Sequence, residues 1–228
     1  MDVVFPYKKT NSEELKYALR SLKNIPHRNV FICGDKPDWI SDEVIWLGKD
    51  GYGINAQHDS ELNIRLALHD IRLSNAFILM NDDFYILKPV RHLPDYFIGT
   101  FDEVIQRRQE AQFNTFNQAL LKTKAFIGVN PLCFEIHIPA IFNKVDRLTV
   151  SNEILPVLSL GCTIFPRSIY MNRYYGSTVR RKDVKLYSFN NEQPLDDFLS
   201  TDDGQLNDQI KQLFPNKCKY EANDIITV

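Results

Sequence analysis

A short apolar run that ends at two adjacent carboxylates is the feature that most constrains the fold of this chain. The run spans Ala76 to Met80, and Asn81, Asp82 and Asp83 follow it directly. A continuous apolar run of this length predicts a strand that is buried on both faces of a mainly parallel sheet. In open α/β sheets the ligand crevice lies beyond the carboxyl ends of such strands. The three polar residues are therefore expected at a ligand site.

The acidic doublet, Asp82 with Asp83, predicts a bound cation. Two adjacent carboxylates repel each other unless positive charge lies beside them. Mg²⁺ or Mn²⁺ commonly takes one or two carboxylates together with the phosphate oxygens of a nucleotide. The alternative is a solvated turn. The apolar segment from Phe84 to Leu87 favours the metal site, because a simple polar turn is not usually embedded in so much apolar chain.

The order of elements in the first hundred residues predicts the fold class. Apolar runs predict strands at Asp2–Pro6, Asn29–Gly34 and Val44–Gly48, and helical spacing predicts helices at Ser12–Lys23 and Asp59–Leu73. This order is typical of a Rossmann-like α/β domain with a mixed, mainly parallel sheet flanked by helices. At 228 residues the chain is expected to form a single domain, 1–228.

The second half of the sequence has weaker patterns. We expect a helical segment, two extended segments, a short helix, a further strand and a terminal helix. Their ranges are Asp102–Lys124, Ala125–Val129 with Leu132–Ile138, Pro139–Val145, Cys162–Tyr170 and Gln205–Phe214.

Composition excludes several classes of protein. The net charge of −2 argues against an extended basic surface that binds nucleic acid. No signal-peptide pattern and no apolar run of membrane-spanning length occurs, so we expect a cytoplasmic protein with no membrane span. The four cysteines lack the close spacing of a zinc site. The glycines of the loop 49–58 match neither a Walker loop nor a dinucleotide fingerprint.

Glu135 and His137 form a second candidate for chemistry. On a strand, residues two apart project from the same face, and a carboxylate beside an imidazole suits general base catalysis or a position near a divalent ion. The alternative is a histidine that is satisfied by a backbone carbonyl. A carboxylate in an apolar segment is harder to explain structurally, because burying it alone is costly.

Arginines later in the chain are candidates for phosphate binding. The guanidinium group matches phosphate geometry, and a diphosphate leaving group needs positive charge. Arg167 and Arg173 are the better candidates, because they lie among apolar and aromatic residues. A solvated basic loop is at least as good an interpretation of 180–182. Asn81 and Arg20 complete the set of predicted substrate-binding residues.

Four segments together resemble the Stealth proteins, which are capsular polysaccharide and N-acetylglucosamine phosphotransferases. They are ELKYALRSLKN at 14–24, NVFICGDKPDWI at 29–40, FILMNDDFYILKPV at 77–90 and FEIHIPAIFNK at 134–144. The resemblance implies a GT-A-like fold, a nucleotide-sugar donor, a divalent cation at Asp82 and Asp83, and His137 as an active-site residue. Residues 1–100 would then form the nucleotide-sugar-binding half, and 101–228 the acceptor-side half with a C-terminal helix.

The sequence departs from the family in ways that leave the transferred group open. The chain is short, the first family region is reduced to DVVFPY, and KDGYGINAQHDSELN replaces the family's linker. The leading hypothesis is a glycosyltransferase that uses Mg²⁺ or Mn²⁺ and moves a sugar to an acceptor saccharide or another hydroxyl acceptor. Transfer of sugar-1-phosphate is the alternative. A non-catalytic carbohydrate- or nucleotide-binding module, and a transferase acting on modified nucleic acid, are the remaining hypotheses.

Overall fold

A five-stranded sheet forms the centre of the computed structural model, which describes residues 1–50, 53–108, 115–174, 176–186, 196–201 and 208–222. The strands are β1 (Asp2–Tyr7), β2 (Val30–Gly34), β3 (Val44–Trp46), β4 (Ala76–Leu79), β5 (Phe84–Ile86), β6 (Asp95–Phe97), β7 (Gly99–Thr100), β8 (Leu132–Cys133), β9 (Ala140–Asn143), β10 (Thr178–Arg180), β11 (Lys185–Leu186) and β12 (Phe198–Thr201). The helices are α1 (Glu14–Ser21), α2 (Ala56–His69), α3 (Phe101–Arg108), α4 (Thr115–Ile127), α5 (Lys144–Ser159), α6 (Pro166–Tyr174) and α7 (Asp208–Leu213).

The strand order of the central sheet is β3-β2-β1-β4-β9, and β9 alone of these five runs antiparallel to its neighbour. This confirms the predicted class, a mixed and mainly parallel sheet flanked by helices. In this order β2 and β3 lie on one side of β1, and β4, the next strand along the chain, lies on the other side. The carboxyl ends of β1 and β4 therefore flank the point at which the direction of winding changes, where α/β sheets bind ligands.

Alternation along β1 separates two apolar cores, one on each face of the sheet. Val3 and Phe5 pack with α1, whereas Val4 packs with α2 and α5. The period of two follows from strand geometry, since successive side chains point to opposite faces. Among the described residues, no helix combines the length and the apolar character that crossing a membrane requires.

A small sheet brings a late segment of the chain to the end of β4. In this sheet β12 pairs antiparallel with β5, and β11 pairs parallel with β12. Because β5 begins directly after the acidic doublet, the pairing places Ser200 and Lys185 beside Asp83. No pattern in the sequence indicated this pairing.

Three predicted elements of the second half are wrong. Residues 139–145 contain the strand β9 instead of a helix, because Ile141 pairs with Ile78 of β4 and fills the sheet edge. Residues 162–170 contain the start of α6 instead of a strand, with Pro166 at the first helical position, where its missing N–H has no cost. Residues 125–127 continue α4 instead of being extended. Short apolar runs fit either structure, so the tertiary partners decided each case.

Other elements differ mainly in their ends. The helical prediction at 102–124 corresponds to α3 and α4, with 109–114 outside the described residues. The segment 132–138 is extended only over β8, and its remainder is irregular. The terminal helix begins no earlier than Asp208 among the described residues, and 205–207 lie outside them.

The buried carboxylate of Asp2 fastens the amino ends of three strands, and its removal should destabilise the fold. It accepts hydrogen bonds from the guanidinium of Arg28 and from the amides of Asn29 and Ser74. We expect Asp2→Ala to lower the free energy of unfolding by about 2–3 kcal/mol, because it leaves the amides of Asn29 and Ser74 without their acceptor. Urea denaturation measures this loss. A loss below about 1 kcal/mol, the usual range for an exposed ion pair, would contradict it.

The pH dependence of this contribution has a defined sign. Burial raises the pKa of Asp2, but the hydrogen bonds from Arg28, Ser74 and Asn29 outweigh burial and lower the pKa below the ordinary value of 3.8. A carboxylate with a depressed folded pKa stabilises the protein above its unfolded pKa and loses that contribution as the pH falls. The difference between wild type and Asp2→Ala should therefore shrink below pH 3.8.

Candidate active site

Two adjoining cavities lie at the carboxyl ends of β1 and β4. The strand-end cavity, of about 490 Å³, is lined by Tyr7, Asp35, Asn55 and Asp82 among others. The histidine cavity, of about 350 Å³, is lined by residues that include His137. The two share the side chains or backbone of Pro6, Ala56, Ser60 and Asn81 in their walls. A ligand that spans both cavities would therefore pass Asn81 and the first turn of α2.

The acidic doublet forms a turn whose two carboxylates have different surroundings. The amide of Phe84 donates to the carbonyl of Asn81. This hydrogen bond closes a turn, as the alternative interpretation of the doublet predicts. Asp82 nevertheless lines the strand-end cavity. Asp83 lines neither cavity; its Oδ2 accepts from Ser200 Oγ at 2.8 Å and lies 3.7 Å from Lys185 Nζ. Of the two residues that the sequence predicted as joint ligands, Asp82 lines a cavity, whereas Asp83 contacts Ser200 and Lys185.

Asp83 sits in a largely buried, charged cluster. Its side chain is 17% exposed, and burial raises its pKa although Ser200, Lys185 and His137 all act in the opposite direction. The raised pKa means that the desolvation of the charged form outweighs the stabilisation given by its partners. Asp83 therefore behaves as a buried group beside the site.

His137 is oriented by Asp183, a residue 46 positions later in the chain. Its Nδ1 lies 2.8 Å from one carboxylate oxygen of Asp183, and its backbone amide donates to the other oxygen at 3.0 Å. This contact assigns the proton to Nδ1 and leaves Nε2 as the acceptor nitrogen. Nε2 forms no hydrogen bond with any residue that the structure describes. The arrangement matches a general base held in one tautomer by a carboxylate.

The carboxylate of Asp183 is suited to this role at neutral pH. Burial raises its pKa, but the hydrogen bond and charge of His137 outweigh that effect, and the net pKa of Asp183 is lowered. Phe84 packs edge-on against the imidazole, with 6.1 Å between ring centroids. The ring of His137 is therefore held both by a charge and by an aromatic contact.

Glu135 does not orient His137, although both line the histidine cavity. Its Oε1 instead accepts from the amide and the hydroxyl of Ser168, at 3.1 and 2.7 Å, in the first turn of α6. A carboxylate at the amino end of a helix satisfies free amides and interacts favourably with the helix dipole. The segment 134–139 is not a strand, so the same-face argument for this pair does not apply.

Arg167 holds the backbone on both sides of His137. Its Nη1 donates to the carbonyls of Ile136 and Ile138, at 2.8 and 2.7 Å. Arg167 also lines the histidine cavity, and burial lowers its pKa to about 10, so it is charged at neutral pH. A cation is therefore fixed next to the candidate base.

The other two predicted arginines lie elsewhere. Arg20 forms two hydrogen bonds of 2.7 Å with Glu221 and a third with the carbonyl of Phe214, which fastens the tail to α1. Arg173 pairs with Glu153 at 2.6 Å between α6 and α5. Neither arginine lines either cavity.

Buried polar atoms without partners concentrate in the walls of the cavities. Among the described residues, they include Asn55 Nδ2 at the strand-end cavity, and Gln57 Oε1, Arg147 Nε and Arg167 Nε at the histidine cavity. An unsatisfied buried polar group costs about 1–3 kcal/mol. These atoms lie inside the walls and are closed to solvent, so their cost is part of the folded state.

The metal prediction depends on Asp82. The described residues contain no group of three or more His, Cys, Asp or Glu side chains placed to hold a metal ion. Asp35 and Asp59, which also line the strand-end cavity, accept hydrogen bonds from Lys9 and Gly53. Mg²⁺ and Mn²⁺ can also bind through one carboxylate and substrate phosphates. Asp82 fits that second mode.

Comparison with known proteins finds similarity in structure and none in sequence. No profile of a known protein family matches this sequence. No curated protein matches it either. Among solved structures, the fold is similar to that of the galactosyltransferase LgtC, crystallised with donor and acceptor sugar analogues. The sequences are 12% identical, the match covers 79% of this chain and 73% of LgtC, and the TM-score is 0.48.

Proposed function

We propose that this chain is a metal-dependent transferase that moves a sugar from a nucleotide-sugar donor to an acceptor hydroxyl. One observation carries the proposal. A histidine oriented by a carboxylate, His137 with Asp183, lies in a cavity that adjoins a second, carboxylate-lined cavity at the strand ends. Binding of a phosphorylated donor and deprotonation of a hydroxyl are the two requirements of such a transfer.

The strand-end cavity suits the nucleoside diphosphate of the donor. Its wall includes Asn55 and Ala56 at the start of α2, and a helix amino terminus attracts phosphate through its free amides and its dipole. Asp82 would hold a Mg²⁺ or Mn²⁺ ion shared with the phosphates. The bound ion would supply positive charge against the leaving diphosphate.

The histidine cavity suits the acceptor hydroxyl. Nε2 of His137 takes the hydroxyl proton as the acceptor oxygen bonds to the anomeric carbon of the donor. The bond between that carbon and the diphosphate oxygen breaks, and its electron pair leaves with the nucleoside diphosphate. Asp183 stabilises the imidazolium that forms, because its carboxylate faces Nδ1–H.

Arg167 favours a second candidate, transfer of sugar-1-phosphate. Its guanidinium is fixed in the same cavity as His137, so a phosphate attacked by the hydroxyl there would have a cation beside it. In that reaction the acceptor oxygen bonds to phosphorus and the nucleoside monophosphate leaves. His137 and Asp183 have the same roles in both reactions.

The released nucleotide distinguishes the reactions. We expect a panel of UDP-, GDP- and CDP-sugars, with Mn²⁺ and a set of hydroxyl acceptors, to show metal-dependent turnover of at least one donor. Nucleoside diphosphate in the products indicates sugar transfer, and nucleoside monophosphate indicates sugar-phosphate transfer. The acceptor set includes methyl glycosides and an oligonucleotide with a hydroxymethylated base.

Two results would contradict the proposal. Nucleotide or sugar binding that survives EDTA, with no turnover of any donor, indicates a non-catalytic binding module. A complete lack of nucleotide binding, with and without Mn²⁺, removes the basis for a nucleotide-sugar transferase.

A further inference from the structure

A third cavity of about 280 Å³, the tyrosine cavity, has no role in the steps above. Its wall includes Ala76, Asp95, Asn143, Tyr170 and Tyr174. Ala76 is the first residue of β4, and Asn143 is the last residue of the antiparallel β9, so both lie at the amino end of β4. The tyrosine cavity is therefore at the opposite end of that strand from the strand-end and histidine cavities.

Tyr174, in the last turn of α6, has an aromatic ring that packing within the protein leaves accessible. It is 40% exposed, and its hydroxyl forms no hydrogen bond with any residue that the structure describes. Its ring meets that of Tyr170 with 5.1 Å between centroids and a tilt of 42°. Tyr170 itself is buried, and its hydroxyl oxygen accepts from the amide of Asn143 at 2.8 Å. Tyr170 is therefore a fixed support, and the ring of Tyr174 can contact a ligand.

Two polar groups in the wall are accessible as well. Asp95 Oδ2 accepts from the amide of Gly176 at 2.8 Å, whereas Oδ1 has no partner among the described residues and is open to solvent. Asn143 is exposed, and its Oδ1 caps α5 by accepting from the amides of Val145 and Asp146. Its Nδ2 is then left as a donor. The tyrosine cavity therefore combines an acceptor, a donor and an aromatic ring on accessible side chains.

The charge of the tyrosine cavity disfavours anionic ligands. Within the described part of the chain, Asp95 is the one charged side chain of its wall, and it forms no ion pair there. Burial raises the pKa of the Tyr170 hydroxyl, and the negative charges of Asp146 and Asp95 raise it further, although the hydrogen bond from Asn143 opposes the rise. A phosphate or an acidic sugar would therefore be repelled.

The mixture of hydrogen-bonding groups selects a neutral saccharide over an organic cation. An ammonium group suits a carboxylate and the face of a tyrosine, but it has no acceptor for the N–H groups of Asn143 Nδ2. A sugar hydroxyl both donates and accepts, and the C–H bonds on the faces of a sugar ring pack on an aromatic ring. The volume of about 280 Å³ lies close to the lower end of ligand pockets, about 300–1,000 Å³, so there is room for one ring.

We propose that the tyrosine cavity is a second saccharide site, which binds one neutral sugar unit stacked on Tyr174. Asp95 Oδ1 accepts from one hydroxyl of that unit, and Asn143 Nδ2 donates to another. Binding there needs neither nucleotide nor metal, so it does not depend on the proposed transfer. In a transferase, such a site retains a glycan of several units outside the catalytic cavities and raises its local concentration.

The test uses the full chain with ¹³C-labelled tyrosine rings and a panel of neutral methyl glycosides and oligosaccharides. Phe142 lies in the walls of both the tyrosine cavity and the histidine cavity, so the readout has to be local. The NMR signal of the Tyr174 ring, assigned by its loss in Tyr174→Phe, meets this need. We expect at least one saccharide to shift this signal in a saturable manner, and tetramethylammonium to bind more weakly than that saccharide.

Two substitutions test the contacts, and the ring signal of Tyr170, in the same wall, reports binding in both. We expect Asp95→Asn to bind the saccharide about five- to tenfold more weakly, because a hydroxyl loses a charged acceptor. Tyr174→Ala should abolish binding at this site, whereas Tyr174→Phe keeps the ring and should stay within about threefold of wild type. Asp42→Asn, at an exposed carboxylate outside the cavity, is the matched control and should bind normally.

Three results would overturn the proposal: no saccharide shifts the Tyr174 signal, either Asp95→Asn or Tyr174→Ala binds as tightly as wild type, or tetramethylammonium binds more tightly than every saccharide. UDP binding with Mn²⁺ is measured on the same samples. Saccharide binding at Tyr174 without any nucleotide binding supports the second site while refuting the proposed transferase. Turnover of a nucleotide sugar with no saccharide at Tyr174 refutes the second site alone.

Discussion

Replacing His137 by Gln should lower the rate of transfer by about 10²–10⁴-fold, the usual contribution of a general base. Gln preserves much of the side-chain volume and polarity, but it cannot accept the hydroxyl proton. Donor affinity should change little, because His137 lines the histidine cavity and not the strand-end cavity. The measurement is kcat and KM for the donor and acceptor that the nucleotide-sugar panel identifies, with nucleotide affinity by calorimetry.

The variant Asp183→Asn tests whether the carboxylate of Asp183 orients His137, while the imidazole itself is retained. Asn at 183 removes the charge that faces Nδ1–H, so the imidazole loses its fixed tautomer and the stabilisation of its protonated form. We expect kcat to fall by about 10²-fold or more while KM for the donor stays within a factor of about three. His92→Gln, at an exposed histidine outside both cavities, is the control. Full activity of either site variant would refute the assignment of the base.

Replacing Asp82 by Asn should remove the metal dependence of nucleotide binding. Residues that only hydrogen-bond to a metal ligand already change the affinity for the metal by about 10–100-fold. Loss of a ligand itself should therefore weaken the binding of UDP, GDP or CDP in Mn²⁺ by about 100-fold. Binding without metal should be unchanged, because Asn retains the size of the side chain. Calorimetry with and without Mn²⁺ gives both values.

Asp83→Asn is the matched comparison, with the same chemical change one residue away. Asp83 lines neither cavity, so nucleotide affinity should stay within about threefold of wild type. Burial raises the pKa of Asp83, so the folded state stabilises the charged form less than water does. Asn can still accept from Ser200 but removes the charge beside Lys185, so any loss of stability is measured by urea denaturation of the same variant. Equal loss of metal dependence in both variants would show instead that the two carboxylates share the ion.

The position of the two cavities of the candidate active site was predictable from local patterns. An apolar run that stops at polar residues predicted a buried strand with Asn81 and Asp82 at its carboxyl end, and both line cavities there. The run and its end are properties of a few consecutive residues. The run is apolar because the strand is buried between other strands, and that burial requires apolar side chains whichever strands are its neighbours.

The roles of individual side chains were less predictable. Glu135 was paired with His137 because they are two apart, yet its partner is Ser168, and the histidine's partner is Asp183. The alternation of charged residues at Asp183 and Lys185 was the one local signal that could have directed attention to that segment. Nothing in the sequence connects it with His137.

The sequence alone therefore determined the fold class, several strands and helices of the first half, and the end of the sheet at which the two cavities of the candidate active site lie. Tertiary structure decided which polar side chains meet: Asp183 with His137, Glu61 with Arg147, and Asp83 with Ser200. The physical reason is range. Periodicity and strand ends act over a few residues, whereas a hydrogen bond between residues 46, 86 or 117 positions apart exists only after sheets and helices have packed.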